Sequence, residues 1–146
     1  MLHATHDYKE EDGNLKILSE GNSIHVQVSN WIFDGEMEET INEQTKRDIV
    51  YVSFQAFAKT DINEITVTSI PLKMKDFKTR DKYLEKYKKT VTISRETALK
   101  ILEEYLSIES FQDLYQLYQS EVWIPNDNFN KLKSQYLNSV FNEITK

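Results

Sequence analysis

Along the first two thirds of the chain, short apolar runs alternate with polar interruptions. Near residue 94 the spacing of apolar positions changes. LKIL at 15–18 and SIHVQVSNWIF at 23–33 are separated by the turn-forming SEGN. In the second run Ile24, Val26 and Val28 fall on one side and His25 and Gln27 on the other, the period-2 pattern of a strand with one buried face. Residues 34–48, DGEMEETINEQTKRD, are polar and acidic, which predicts a loop or short helix. Ile49 to Ala58 is rich in β-branched and aromatic residues and apolar on both faces, predicting a central strand. KTDIN then reads as a turn, and Ile65 to Leu72 as a second strand completing an antiparallel hairpin, with Pro71 at its exit. TVTIS at 90–94 predicts a short extended segment.

From Ser94 the period lengthens to 3.6. Ser94 is a candidate N-cap, and Ala98, Leu99, Ile101, Leu102, Tyr105 and Leu106 form one helical stripe. A second short helix is predicted from Ser110, lined by Phe111, Leu114, Tyr115, Leu117 and Tyr118 and ended by WIPND. A third begins at Asp127 or Asn128, with Phe129, Leu132, Tyr136, Val140, Phe141 and Ile144 on one side. Strands followed by helices predict an α+β fold: an antiparallel sheet of about four or five strands in the N-terminal half, covered on one face by two or three C-terminal helices. Neither a repeat nor a linker divides the chain, so residues 1–146 are expected to form one domain, with 1–13 a loose N-terminal tail.

Composition sharpens this picture. At 146 residues the chain is long enough to bury a core without staples. Apolar residues make up 39%, but two Trp, eight Tyr and seven Phe supply large buried areas. The absence of cysteine excludes a disulfide framework, a thiolate zinc site and a cysteine nucleophile, and leaves the compartment open. Nothing approaches the ~18 consecutive apolar residues of a membrane span, and MLHATHDYKEEDG lacks the pattern of a signal peptide.

Charge is distributed unevenly. KMKDFKTRDKYLEKYKK, residues 73–89, holds eight basic and three acidic residues, so it carries +5 in a chain whose net charge is −6. Lys75, Lys78, Arg80, Lys82, Lys86, Lys88 and Lys89 interleave with Phe77, Tyr83 and Tyr87, an arrangement that neutralises phosphates and stacks on bases in single-strand binders. The acidic remainder opposes a polyanion, however. If DKYLEKYKK is helical, Tyr83, Leu84 and Tyr87 turn inward and the lysines become a solvated face complementing the acidic segment Asp34, Glu36, Glu38, Glu39 and Glu43.

Candidate chemistry is sparse. His3 and His6 with Asp7 form a weak metal motif at the terminus, with no evident fourth ligand. There is no GxSxG turn and no HExxH, and the glycines at 13, 21 and 35 are too scattered to cradle a phosphate. The acidic cluster at 34–43 reads as a solvated face before it reads as an acid–base pair. No cofactor or metal is expected. The segment FQDLYQLYQSEVW sets Phe111, Tyr115, Tyr118 and Trp123 beside neutral glutamines, a composition typical of interface cores.

These readings predict a non-catalytic binding or accessory protein that acts through contacts with another protein. Lys75, Lys78, Arg80, Lys82, Tyr83, Lys86, Tyr87, Lys88, Lys89, Phe111, Tyr115, Tyr118 and Trp123 are the candidate partner-binding residues. Envelope or secretion-assembly components and immunity or antitoxin-type proteins work in this way, and the Lys-, Glu-, Asn- and Ile-rich usage fits a bacterial accessory protein. The alternatives are a small-ligand or enzymatic pocket between a curved sheet and helices, and nucleic-acid binding through residues 73–89.

Overall fold

The computed structural model describes residues 15–20, 24–33, 35–74 and 80–146. The fold is α+β and is centred on a four-stranded mixed sheet. Its strands are β1 (Leu15–Ser19), β2 (Ile24–Val28), β4 (Glu64–Ser69) and β7 (Lys89–Ser94), in the order β1-β2-β4-β7. β1 and β2 are antiparallel, β2 and β4 parallel, β4 and β7 antiparallel. Register aligns Ile17, Val26, Val67 and Val91 in one row and Ile24, Ile65 and Ile93 in another. Apart from the half-buried Ile17, these side chains are buried on the inner face, as the alternation in β2 predicts.

The parallel pairing is made possible by a crossover. After the two-residue β3 (Trp31–Ile32), the chain enters α1 (Glu38–Lys59), a 22-residue helix, before returning as β4. The expected strand Ile49–Ala58 and its hairpin with Ile65–Leu72 are therefore not formed. The ten residues lie inside α1, KTDIN leads from helix to strand, and the sheet is mixed instead of antiparallel. Parallel neighbours need a long connection, and here it is the helix. α1 packs on β4 and β7 and is covered by α3, α4 and the Phe111–Leu114 turn, so every residue from Ile49 to Phe57 is buried. A helix enclosed on all sides is apolar all round, and the sequence then carries no 3.6-residue stripe to distinguish it from a central strand.

The main cover of the sheet is thus this central helix, with the C-terminal helices packed around it. β2 and β4 continue past a bend at Pro71 into a smaller sheet ordered β3-β5-β6, with β5 at Leu72–Met74 and β6 at Arg80–Tyr83. The bend is tied by Ile70 N–H to Val28 O and Leu72 N–H to Asn30 O, at 3.1 and 2.8 Å. The segment DKYLEKYKK is strand β6, a 3₁₀ turn at Glu85–Tyr87 and the start of β7, so the helix expected there is absent.

Ser94 caps α2 (Arg95–Ile101) as expected, its Oγ accepting from Thr97 N–H at 3.1 Å. α2 runs on into a π turn at Leu102–Leu106, which ends at Ser107 in the left-handed conformation. The second expected C-terminal helix is reduced to the single 3₁₀ turn Phe111–Leu114, and the rest of it forms the hairpin β8 (Tyr115–Tyr118) and β9 (Val122–Pro125). The third is split by a turn at residues 134–136 into α3 (Asp127–Lys133) and α4 (Leu137–Ile144).

Candidate functional site

The β8–β9 hairpin stands apart from both sheets. Its pairs are Tyr115–Pro125, Gln116–Ile124, Leu117–Trp123 and Tyr118–Val122. Facing residues share a side, so Tyr115, Leu117 and Trp123 point one way and Tyr118 and Val122 the other. The turn is tight, with Glu121 N–H donating to Tyr118 O at 3.1 Å and both Gln119 and Ser120 in the left-handed region, at φ 50° and 58°.

The base of the hairpin is firmly attached. The amide of Asn126 donates to Asp113 O and Tyr115 O, while its Oδ1 accepts from Asn128 N–H and Phe129 N–H at the start of α3. The Asn126 N–H donates to Leu114 O at 2.9 Å. One asparagine thus joins the turn, the hairpin and the helix. Tyr115 packs edge-on against Phe129 with ring centroids 5.6 Å apart.

Beyond this base the hairpin presents an apolar surface. Leu117, Tyr118, Val122 and Trp123 are 48%, 52%, 56% and 66% exposed, values unusual for four large apolar side chains on one short element. Beside them a half-open cavity of about 330 Å³ lies between the hairpin and the end of α1, lined by Ala58, Lys59, Gln112, Tyr115 and Trp123. Its polar groups are few. Gln112 is occupied by Ala58 O and Ser110 Oγ, and the buried Tyr115 hydroxyl has no hydrogen-bond partner. Burial raises the Tyr115 pKa, so the hydroxyl keeps its proton.

The sequence-derived candidates separate into distinct places. Tyr115 and Trp123 share one face of the hairpin and Tyr118 lies on the other. Phe111 does not join them, because it is 3% exposed and packs against Phe54 and Phe57. It is a core residue, and its place in the candidate surface is corrected. Leu117, Val122 and the cavity residues Ala58, Lys59 and Gln112 were absent from that set. The alternation YQLY was the available signal, but Phe111, Tyr115 and Tyr118 are also spaced like a helical stripe.

The basic strip lies elsewhere. Lys75 and Lys78 fall outside the described residues, and so do Asp34 and the terminal His3, His6 and Asp7. Arg80 and Lys82 are described here only as backbone positions of β6. Lys86 pairs with Glu38 at the start of α1, and the Tyr87 hydroxyl donates to the same carboxylate at 3.0 Å. These bonds hold the Glu38 pKa below and the Lys86 pKa above their ordinary values. Lys89 donates to Asn42 Oδ1 and Thr45 Oγ1 at 2.9 Å each, and desolvation followed by repulsion from Lys46 lowers its pKa. Lys16 lies over the half-buried Tyr83 ring, 4.8 Å from its centroid. Lys88 is exposed.

The outer face of the main sheet is polar. Thr66–Thr92 and Thr68–Thr90 hydroxyl pairs lie 2.8 Å apart, and His25 Nε2 meets Thr68 Oγ1 at 2.7 Å. Among the described residues no group of three His, Asp or Glu side chains is placed to hold a metal ion. No helix of the described chain is long and apolar enough to cross a membrane. Compared with known proteins, this chain matches no family model, no curated protein and no solved structure.

Proposed function

We propose that this protein is a non-catalytic binding module that engages another protein chain through the β8–β9 hairpin and the cavity beside it. The observation behind this reading is the exposure of Leu117 and Trp123 on one face, and of Tyr118 and Val122 on the other, of a hairpin anchored at its base by Asn126. Tyrosine and tryptophan side chains such as Tyr118 and Trp123 are among those that dominate binding energy once water is excluded, and an anchored hairpin loses little conformational freedom on docking. The basic strip is a weaker candidate for the contact, because Lys86 and Lys89 are already engaged with α1. For the same reason nucleic acid is not the partner proposed.

The test is affinity capture from the native host using wild type, Leu117→Ser/Trp123→Ser and Lys88→Glu, read by mass spectrometry. A partner retained by wild type and Lys88→Glu but lost by the hairpin variant supports the reading. Equal capture by all three overturns it.

A further inference from the structure

Going beyond that reading, we infer that the cavity beside the hairpin is a binding site for a small aromatic carboxylate, with the ring against Tyr115 and Trp123 and the carboxylate on Lys59. The walls decide the body of the ligand. Tyr115 and Trp123 share one face of the hairpin at diagonal positions of the pairing, and both border the recess together with Ala58 of α1. Two rings and a methyl group suit a flat apolar ligand. The volume of about 330 Å³ lies at the small end of small-molecule sites.

The polar groups around the recess decide the charge of the ligand. Both ends of the Gln112 amide are engaged, Nε2 with Ala58 O and Oε1 with Ser110 Oγ. Two polar side chains of the lining then remain. The Tyr115 hydroxyl is buried without a hydrogen-bond partner. Lys59, the exposed last residue of α1, makes no hydrogen bond or ion pair among the described residues. Its ammonium is not needed to close the helix, because Thr60 serves Ala56 O, Arg95 serves Phe57 O and Gln112 serves Ala58 O. None of the lining residues is acidic. An uncommitted cation at the rim of an apolar recess selects one negative group joined to an apolar body.

The same accounting favours a small molecule over the end of a polypeptide. A peptide entering the recess brings N–H and C=O groups that each need a partner. Gln112 has the amide that would serve them, and it is committed. A ring carrying one carboxylate brings no such groups. About ten non-hydrogen atoms of this kind, with a partly exposed ion pair, give a dissociation constant of about 0.05–1 mM.

The test is isothermal titration calorimetry of the full chain with phenylacetate, phenylacetamide and the tripeptide Ala-Ala-Phe. Trp31→Phe leaves Trp123 as the only tryptophan, so its emission locates the binding. Expected is saturable binding of phenylacetate in the stated range, accompanied by a change in Trp123 emission. Phenylacetamide should bind at least about fivefold more weakly, and Lys59→Gln should lower affinity for the acid to that of the amide. Far-UV circular dichroism confirms that each variant is folded, and calorimetry of the natural chain needs no variant. No saturable binding of phenylacetate up to about 10 mM overturns the site. Equal affinity for acid and amide, an unchanged affinity in Lys59→Gln, or binding that leaves Trp123 emission unaltered does so too. Tripeptide binding about fivefold or more tighter than phenylacetate gives the cavity to the end of a chain and overturns the small-molecule occupant. Capture of a protein by the hairpin reads a different molecule, so the binding-module reading stands or falls separately.

Discussion

The guanidinium of Arg95 reaches three backbone carbonyls at and just beyond the C-terminal end of α1, donating to Phe57 O at 2.9 Å, Thr60 O at 2.6 Å and Ile62 O at 2.8 Å. Its plane also lies 5.3 Å from the Phe57 ring centroid and 5.2 Å from that of Phe111. One side chain thus satisfies carbonyls that a helix end leaves without partners and seals the aromatic core beneath them. Arg95→Ala is expected to cost about 2–4 kcal/mol in urea denaturation. Arg95→Lys should recover less than half of it, because an ammonium cannot reproduce the planar fork. His25 offers a second test at this scale. Desolvation, reinforced by repulsion from Lys88, lowers its pKa in the folded state. The unfolded chain therefore takes up this proton first, and the contribution is intact above about pH 6.5 and lost as pH falls through the lower folded value. Thermal melts between pH 7.5 and 5.5 should show a decline in wild type that is smaller in His25→Gln.

At the level of the element, α1 is where sequence pattern and structure diverge most. The strands β1, β2, β4 and β7 were legible because one face is buried and the other wet, as in Ile24, Val26 and Val28 against His25 and Gln27. The same rule misleads for Ile49–Ala58, since enclosure by sheet and helices removes the polar face. The opposite error falls on residues 111–123, where rings spaced at i, i+4 and i+7 imitate a helix although Tyr115–Tyr118 is extended. Of the candidate site, the neutral, aromatic composition was legible. The cavity was not, because it needs the end of α1 beside the hairpin, a juxtaposition made by tertiary packing. Two substitutions test the enclosure of α1. Phe54→Ala, at a fully buried position, should destabilise by about 3–5 kcal/mol. Gln55 is 1% exposed and its Oε1 has no partner, so Gln55→Met should raise stability by about 1 kcal/mol. Chemical denaturation reads both.

Across the whole molecule, the positive strip and the acidic segment are brought together by the fold. Lys86 and Lys89 reach Glu38, Asn42 and Thr45 across the gap between the start of β7 and the start of α1. At Lys86 and Glu38 the charge contrast seen in the sequence therefore joins two parts of one surface. Lys89→Glu should lower stability by about 1–3 kcal/mol, since it sets a carboxylate against Asn42 Oδ1. Lys88→Glu, at an exposed position, should stay within about 0.5 kcal/mol. Parallel denaturation curves distinguish the engaged Lys89 from the exposed Lys88.

The crossover through α1 also governs the order of assembly. A nascent chain leaving the ribosome can zip β1 to β2 at once, because these strands are antiparallel neighbours in sequence. The centre of the sheet cannot close until the intervening helix has emerged, folded back and been joined by β4, a long-range step of the kind that slows folding. In that interval Ile49–Phe57 has neither floor nor roof, and it is the stretch a chaperone would need to shield.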